Sequence, residues 1–472
     1  MTPQTVEIHR RIRDALNDPL IRNNFRITMD GLIAKRRQSF PDGAARESLR
    51  LQAAAIRANA LANLPALLEK LEENCQRNGI QVHWAESTDQ ANEIVLGILR
   101  HHNAKKLIKG KSMVSEEMGL NSFLENRGIE CLESDLGEFI IQLVGEAPSH
   151  IIAPAIHKNR RQVAEIFRDK FPDIPYTENI EQLTQNARAL LRDKFHNAPA
   201  GLSGVNFVVA ETGTLCLVEN EGNGRMCTTI PPVHIAVTGI EKVVERLADV
   251  PPLLDILVRS ATGQPITTYF NMISSPRQPG ELDGPDEVHL VLLDNGRSRI
   301  CGDPELSTTL RCIRCGACMN HCPVYARIGG HAYSSTIPGP IGSVLEPQRQ
   351  GLERLGILPT ISTLCGRCGA VCPVCIPLPD LLNRLRFEGV NTGASRIPGA
   401  GSQRQLAETL LWTIWCFVHT YPTLYRIFTS LAIRLRRLIP RNLRPWTQIR
   451  TLPRPARKSL HQLSRKRGFG QD

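Results

Sequence analysis

At 472 residues the chain is too long for one ordinary core and is expected to divide into two or more domains. Its formal charge of +11 is concentrated in one place: residues 401–472 carry fourteen Arg or Lys against two acids, +12, which leaves −1 for the other 400. The body is therefore near neutral, and any argument from charge concerns the tail. The opening residues hold no apolar stretch and meet an acid early, so neither a secretory signal nor a good transit peptide is expected. The fourteen cysteines then read as thiols of a reducing cytoplasm, not as a disulfide framework.

Residues 1–60 read as a helical N-terminal arm. The stretch from Ala44 to Ala55 is rich in strong helix formers. Arg10, Arg11, Arg13, Lys35, Arg36 and Arg37 are expected on solvated helix faces. From 61 to 300, helices and strands alternate. Leu64–Asn78 carries the stripe Leu64, Leu67, Leu68, Leu71 and Cys75 and stops at Gly79. Ile80–Trp84 is a strand, and Ser87 opens a capping box for a helix to about Arg100. Lys106–Ile108 and Ile129–Leu132 are strands flanking a helix over Glu116–Asn126, and Phe139–Val144 is apolar. His150–Ala153 reads as a further buried strand. Val205–Ala210 and Thr214–Glu219 flank a Glu211-Thr212-Gly213 turn as a hairpin. His234–Val237 and Val288–Leu293 complete an open α/β sheet, parallel at first and mixed toward its end.

No G-x-G-x-x-G follows any of these strands and no P-loop is present, so nothing argues for a nucleotide site. The Gly222-Asn223-Gly224-Arg225 turn has the composition of an anion-binding turn or of a plain tight one. Polar residues gather at strand ends: Lys109, Lys111 and Ser112; Glu133, Ser134, Asp135 and Glu138; His157 and Lys158; Glu211 and Thr212. They line a ligand crevice or are merely polar loop residues.

The strongest chemical signal follows. Cys312, Cys315, Cys318 and Cys322 precede Pro323 with spacing C-x2-C-x2-C-x3-C-P, and Cys365, Cys368 and Cys372 precede Pro373 with spacing C-x2-C-x3-C-P. The first is the run that wraps cubane iron–sulfur clusters, in which the fourth thiolate serves the other cluster. Structural zinc also uses C-x2-C pairs but rarely three in this succession. Cys312, Cys315, Cys318 and Cys372 are thus assigned to one cluster, and Cys322, Cys365 and Cys368 to a second. The second is one thiolate short. Cys375 is an available spare; a three-iron cluster, a non-cysteine ligand and an open iron are the alternatives. Cys75, Cys131, Cys216, Cys227, Cys301 and Cys416 show no ligand spacing and read as ordinary buried thiols. Gly329–Gly342 is expected to cover the clusters, and Leu378–Arg386 to leave them as a helix.

The expected domains are therefore the arm (1–60), an α/β domain (61–300), an α-helical two-cluster ferredoxin-like domain (301–390) and a helical, basic, aromatic extension (391–472). In the extension, Leu410–Ile433 is apolar but interrupted by His419, Pro422 and Arg426, so spanning a membrane is not expected. Arg434, Arg436, Arg437, Arg441 and Arg444 follow. Aromatics beside an Arg cluster suit an anionic membrane surface, near a quinone pool; the other reading is packing on the cluster domain or a partner subunit. The tail's aromatics do not interleave with its arginines, so no nucleic-acid partner is expected.

The two cysteine runs, the stretch Ala210–Leu215 and the stretch Leu136–Leu143 together resemble the lactate utilization protein B family. The resemblance covers nearly the whole chain. It implies an α/β domain similar to the sugar-isomerase and CoA-transferase type, joined to a two-cluster domain and a basic extension. It also implies a role in oxidising L-lactate to pyruvate beside a cysteine-rich redox subunit and a second α/β subunit. The same seven cysteines carry over, and Cys375 does not. The reading is an electron-transfer subunit with two clusters, most simply of the 4Fe-4S type; the alternative is the iron–sulfur subunit of another 2-hydroxy-acid or quinone-linked dehydrogenase.

Overall fold

The computed structural model describes residues 3–438 and 456–467, apart from positions 111, 392, 394 and 396. Ten strands form two sheets: β1 (Gln81–Ala85), β2 (Lys106–Lys109), β3 (Glu130–Glu133), β4 (Ala200–Gly204), β5 (Phe207–Val209), β6 (Thr214–Glu219), β7 (Val233–Gly239), β8 (Val243–Val244), β9 (Tyr269–Ile273) and β10 (Glu287–Leu293). Six of them run parallel in the order β1-β10-β7-β4-β2-β3. The central β7 is buried along its whole length and β10 almost so, as their near-continuous apolar sequences require with helices on both faces.

The expected hairpin is present, with Phe207 opposite Cys216 and Val209 opposite Thr214. It does not extend the first sheet. β5 and β6 join β8 and β9 in a second sheet, β8-β5-β6-β9, so the single mixed sheet resolves into a parallel one and a small, mostly antiparallel one. The helix Leu64–Arg77 links them. Its stripe of Leu64, Leu67, Leu71 and Cys75 shares one core with Val208 and Leu215 of the second sheet and Leu290 and Leu292 of the first. The hairpin turn approaches this helix so closely that a side chain at Gly213 (φ +65°) would lie 2.8 Å from the backbone of Asn74.

Two expectations fail and one strand is unforeseen, each for an identifiable reason. His150–Ala153 is an irregular turn: the His150 ring accepts the backbone N–H groups of Ile152 and Ala153 at Nδ1, and its Nε2 lies 2.9 Å from Asn320 Oδ1. Glu116–Asn126 is two short helices, Met113–Met118 and Leu120–Glu125, parted at the left-handed Gly119. β4, with sequence Ala-Gly-Leu-Ser-Gly, carries no strand signature. Its composition answers to packing: a Cβ on Gly201 would fall 2.0 Å from the carbonyl oxygen of Cys227. Phe139–Val144 falls mostly in a helix, Leu136–Leu143, capped by Asp135.

The N-terminal residues are helical, as Pro3–Asn17, Pro19–Ser39 and Gly43–Ala62, the last two capped by Asp18 and Asp42. They wrap the cysteine-rich region: Ile8, Ile12, Phe25, Met29 and Ala53 share a core with Cys315, Cys318, Tyr325 and Leu381. Arg10 stays on the surface, paired with Glu7 and Asp14, but Arg36 is buried and donates to the carbonyl of Val371. At the other end, Leu406–Thr420 and Pro422–Arg434 pack on each other and bury none of their residues. Leu410, Leu411, Trp412, Ile414 and Phe417 are each more than half exposed, while Trp412, Thr413 and Cys416 share a cavity with Phe387 and Val390. Arg441 and Arg444 lie outside the described residues. Among those described, no helix is long and apolar enough to cross a membrane.

Candidate iron–sulfur centres

The cysteine runs fold as two short helical turns, Ala317–Asn320 and Arg367–Val371, each entered through a left-handed glycine, Gly316 or Gly366. The chain then leaves through Tyr325–Ile328 on one side and Leu378–Val390 on the other. This symmetry brings Cys372 back to the first run. Cys315 is buried, and burial first, then the neighbouring Cys372 and Cys312, pushes its thiol far up. Cys318 is raised by burial and by Cys315, Cys312 and Cys372 together. Burial pushes Cys372 up to about 12, with Cys312 acting on it too. Cys312 thus acts electrostatically on each of the other three thiols.

Cys322, Cys365 and Cys368 make a second set. Burial and then Cys322 and Cys365 push Cys368 up to about 11, and Cys322 is raised by burial and by Cys365. Cys365 is exposed, so this set reaches the surface, whereas Cys315, Cys318 and Cys372 are covered. Cys375 joins neither. Its Sγ lies 3.9 Å from the Arg50 carbonyl, and the charges acting on it are Arg50, Glu47 and Arg311.

The chemistry around the thiols fits clusters. None of the fourteen cysteines is in a disulfide. Backbone N–H groups point at the sulfurs: Arg314 to Cys312 and Ile376 to Cys372 at 3.4 Å, Tyr325 to Cys322 at 3.5 Å. Such donors, with nearby cations, stabilise thiolates and raise a cluster's potential. Gly329–Gly342 does cover the region, with Ile341 N–H on Cys318. Tyr325 and Tyr333 are buried beside the cysteines, and burial, with Cys318 and Cys322 adding to it, raises both phenols well above their usual range.

A second feature has no counterpart in the sequence analysis. Cationic side chains crowd the first set. Arg36 reaches the Val371 carbonyl, Arg50 the carbonyls of Cys372 and Gly369, and Lys242 the carbonyl of Cys312. Arg57, fully buried, donates to the carbonyls of Glu241, Val243, Leu310 and Arg311. Behind them is a buried ion network. Arg297 forms two 2.9 Å bonds with Glu117 and a 2.5 Å bond with Glu241. Arg349 adds a 2.9 Å pair with Glu117, and Arg314 lies 3.6 Å from Glu241. Glu241 follows the carboxyl end of β7 and Arg297 that of β10, so the ends of the central strands are closed by the cluster region. The partners are scattered from Glu117 to Arg349, and no local pattern announces them.

The residues expected at strand ends are mostly satisfied within the fold. Lys109 is buried between Glu133 at 2.6 Å and Glu116 at 2.8 Å. Ser112 and Asp135 are helix caps. Ser134 contacts the Lys109 carbonyl and Cys227, and Glu138 is buried nearby. His157 and Lys158 share Glu146, and Glu211 accepts from Leu247 N–H. Lys111 lies outside the described residues. The glycine turn does hold an anion, but its own: the N–H groups of Gly224 and Arg225 bind the two oxygens of Glu219 at 2.6 and 2.7 Å. Cys75, Cys131, Cys216 and Cys227 are buried as expected; Cys301 is partly buried and Cys416 exposed.

Comparison with known proteins agrees with this layout. Residues 68–293 match the LUD domain family, 308–376 the 4Fe-4S dicluster domain family, and 384–469 the C-terminal family of lactate utilisation protein B. Lactate utilization protein B of Bacillus licheniformis is 39% identical over 482 residues, covering 99% of this chain and 98% of that one. The chain belongs to the lactate utilization protein B family. The protein of that name from Bacillus subtilis is 40% identical over 410 residues, covering 85% of this chain and 84% of that one. An uncharacterized electron transport protein of Escherichia coli, YkgF, is 41% identical over 421 residues, covering 88% and 86%. The family and the dicluster match make iron–sulfur clusters of the 4Fe-4S type the cofactors of this chain.

Proposed function

We propose that this chain is the iron–sulfur electron-transfer subunit of a complex oxidising L-lactate to pyruvate. One observation carries the reading: a set of four thiols, three of them buried, beside a set of three that includes the exposed Cys365, on a chain that aligns nearly end to end with lactate utilization protein B. Cys312, Cys315, Cys318 and Cys372 hold one cluster, and Cys322, Cys365 and Cys368 hold the other. When bound, the clusters take up and release single electrons. Cys365 gives the second set its opening to a redox partner. Tyr325 and Tyr333, buried in one core with Cys315 and Cys318, help to exclude water from the thiols. Arg36, Arg50, Arg57, Lys242 and Arg314 offset the negative charge of the buried set and favour its reduced state.

Lactate oxidation releases two electrons and two protons, so it needs a base and a two-electron acceptor. That step is assigned to a partner, a cysteine-rich redox subunit or a second α/β subunit. The apolar hairpin Leu406–Arg434 supplies attachment, to such a partner or to an anionic membrane on the cytoplasmic side. The test is to co-purify the native complex and assay L-lactate oxidation with bound flavin and iron measured. L-lactate should reduce the clusters in the complex and not in the isolated chain. A complex that oxidises glycolate or another 2-hydroxy acid while leaving L-lactate untouched overturns the substrate assignment.

A further inference from the structure

Far from the clusters, at the amino end of β10, three side chains converge. Glu287 and His289 point the same way from the strand, and His102 follows the helix Thr88–His101. Nε2 of His102 and Nε2 of His289 each lie 3.4 Å from the same carboxylate oxygen, Glu287 Oε2. All three atoms lie within 4.8 Å of one another. Both ring nitrogens are inaccessible to solvent, and neither completes a hydrogen bond. His289 is 4% exposed. A buried nitrogen left without a partner is costly, and two aimed at one oxygen call for a shared occupant.

We infer that His102, His289 and Glu287 form a binding site for a divalent transition metal, zinc being the best fit. Two imidazoles and one carboxylate are a recurring three-ligand set for this ion, which leaves a fourth position for water. A tetrahedral zinc with bonds of about 2.0 Å separates its ligands by roughly 3.3 Å, close to the two observed spacings. The two imidazole nitrogens lie within 4.8 Å of each other, and the His102 side chain, 22% exposed, has room to turn toward the ion. Glu287, 38% exposed, gives the ion its entry from solvent.

The surrounding groups prepare the ligands. Nδ1 of His289 lies 3.1 Å from Nε2 of His83 on β1. With the His289 Nδ1–H donating to His83, the Nε2 lone pair of His289 is free for the ion, the arrangement found around metal-binding histidines. Gln81 Nε2 donates to Glu287 Oε2 at 3.2 Å and fixes the carboxylate. The ion would tie the end of the helix Thr88–His101 to the β1–β10 edge of the sheet, a structural role at the end of the sheet opposite the clusters.

The test uses the full chain with its clusters loaded, so that no cluster cysteine is available to zinc. After chelator treatment the protein is dialysed anaerobically against graded zinc, and zinc and iron are counted together. Wild type should bind one zinc per chain with its iron unchanged. His102→Gln and Glu287→Gln, both at partly exposed positions, should each weaken binding by more than about tenfold at full iron content. His83→Phe should weaken it by about 10- to 100-fold through the lost ring hydrogen bond. Retained iron shows that a variant has folded. Absence of stoichiometric zinc in iron-replete wild type, or zinc binding as tight as wild type in both ligand variants, overturns the site.

Discussion

Arg297→Met tests the buried network that joins the sheet to the cluster region. Arg297, Glu117 and Glu241 are each no more than 2% exposed, and Arg349 is 3% exposed. Burial alone would raise both carboxyls; Arg297 first, then Lys242 and Arg314, hold Glu241 at about 2, and Arg297 and Arg349 hold Glu117 below its usual range. Removing Arg297 takes two contacts from Glu117 and one from Glu241. Breaking a buried pair on one side costs about 3–5 kcal/mol. Arg349 still serves Glu117 and Arg314 still approaches Glu241, so the lower figure, about 3 kcal/mol, applies. At about 2.1 cal/mol/K per residue a chain of this length has an unfolding entropy near 1 kcal/mol/K, so Tm should fall by about 3 °C. Calorimetry and the visible absorbance of the clusters should move together, because Arg314 and Lys242 contact Cys312. The double variant Arg297→Met/Glu117→Met should lose less than the sum of its single changes, by about 1–3 kcal/mol. A single variant within 1 °C of wild type, or strict additivity, would refute the claim that these charges are coupled.

The other expectations address the clusters, the pH response and the tail. Anaerobically purified protein should hold about seven or eight irons with labile sulfide. Cys318→Ser should cripple the buried cluster, and Cys375→Ser should leave both intact; a four-iron paramagnetic signal that turns into a three-iron one in Cys375→Ser would make Cys375 the missing ligand. His234 on β7 is fully buried, with Nε2 2.8 Å from Ser203 Oγ, and burial, then His289, pushes it down to about 3. The unfolded chain protonates this group below about pH 6.5 while the folded chain does not. Its stabilising contribution is thus present above that pH and lost at up to about 1.4 kcal/mol per unit below it. Between pH 7 and 5.5 the Tm of His234→Gln should fall less than that of wild type, and parallel profiles would contradict the assignment. Full-length protein should float with anionic vesicles at low salt and a chain truncated after Ser402 should not; full-length protein that stays in the soluble fraction would give the hairpin to a protein partner instead.

Local chemistry was legible in the sequence. Cysteine spacing marked a two-cluster region, which the dicluster family match over residues 308–376 bears out, because a cluster-binding loop is built from neighbours along the chain. The stripe of Leu64, Leu67, Leu71 and Cys75 and the turn at Gly213 were readable for the same reason: helix period and turn conformation are properties of a few consecutive residues. Tertiary structure decided the rest. β4 was hidden because the close approach of Cys227 selected glycine where a strand would ordinarily show branched residues. The predicted strand at His150 became a turn because its imidazole caps its own backbone and reaches Asn320. The hairpin went to a second sheet because the core around the helix Leu64–Arg77 takes side chains from both. The arginines and lysine around the buried thiols, and the histidines and glutamate at the foot of β10, are brought together from distant parts of the chain. Their meaning lies in distance and burial, which only the folded chain supplies.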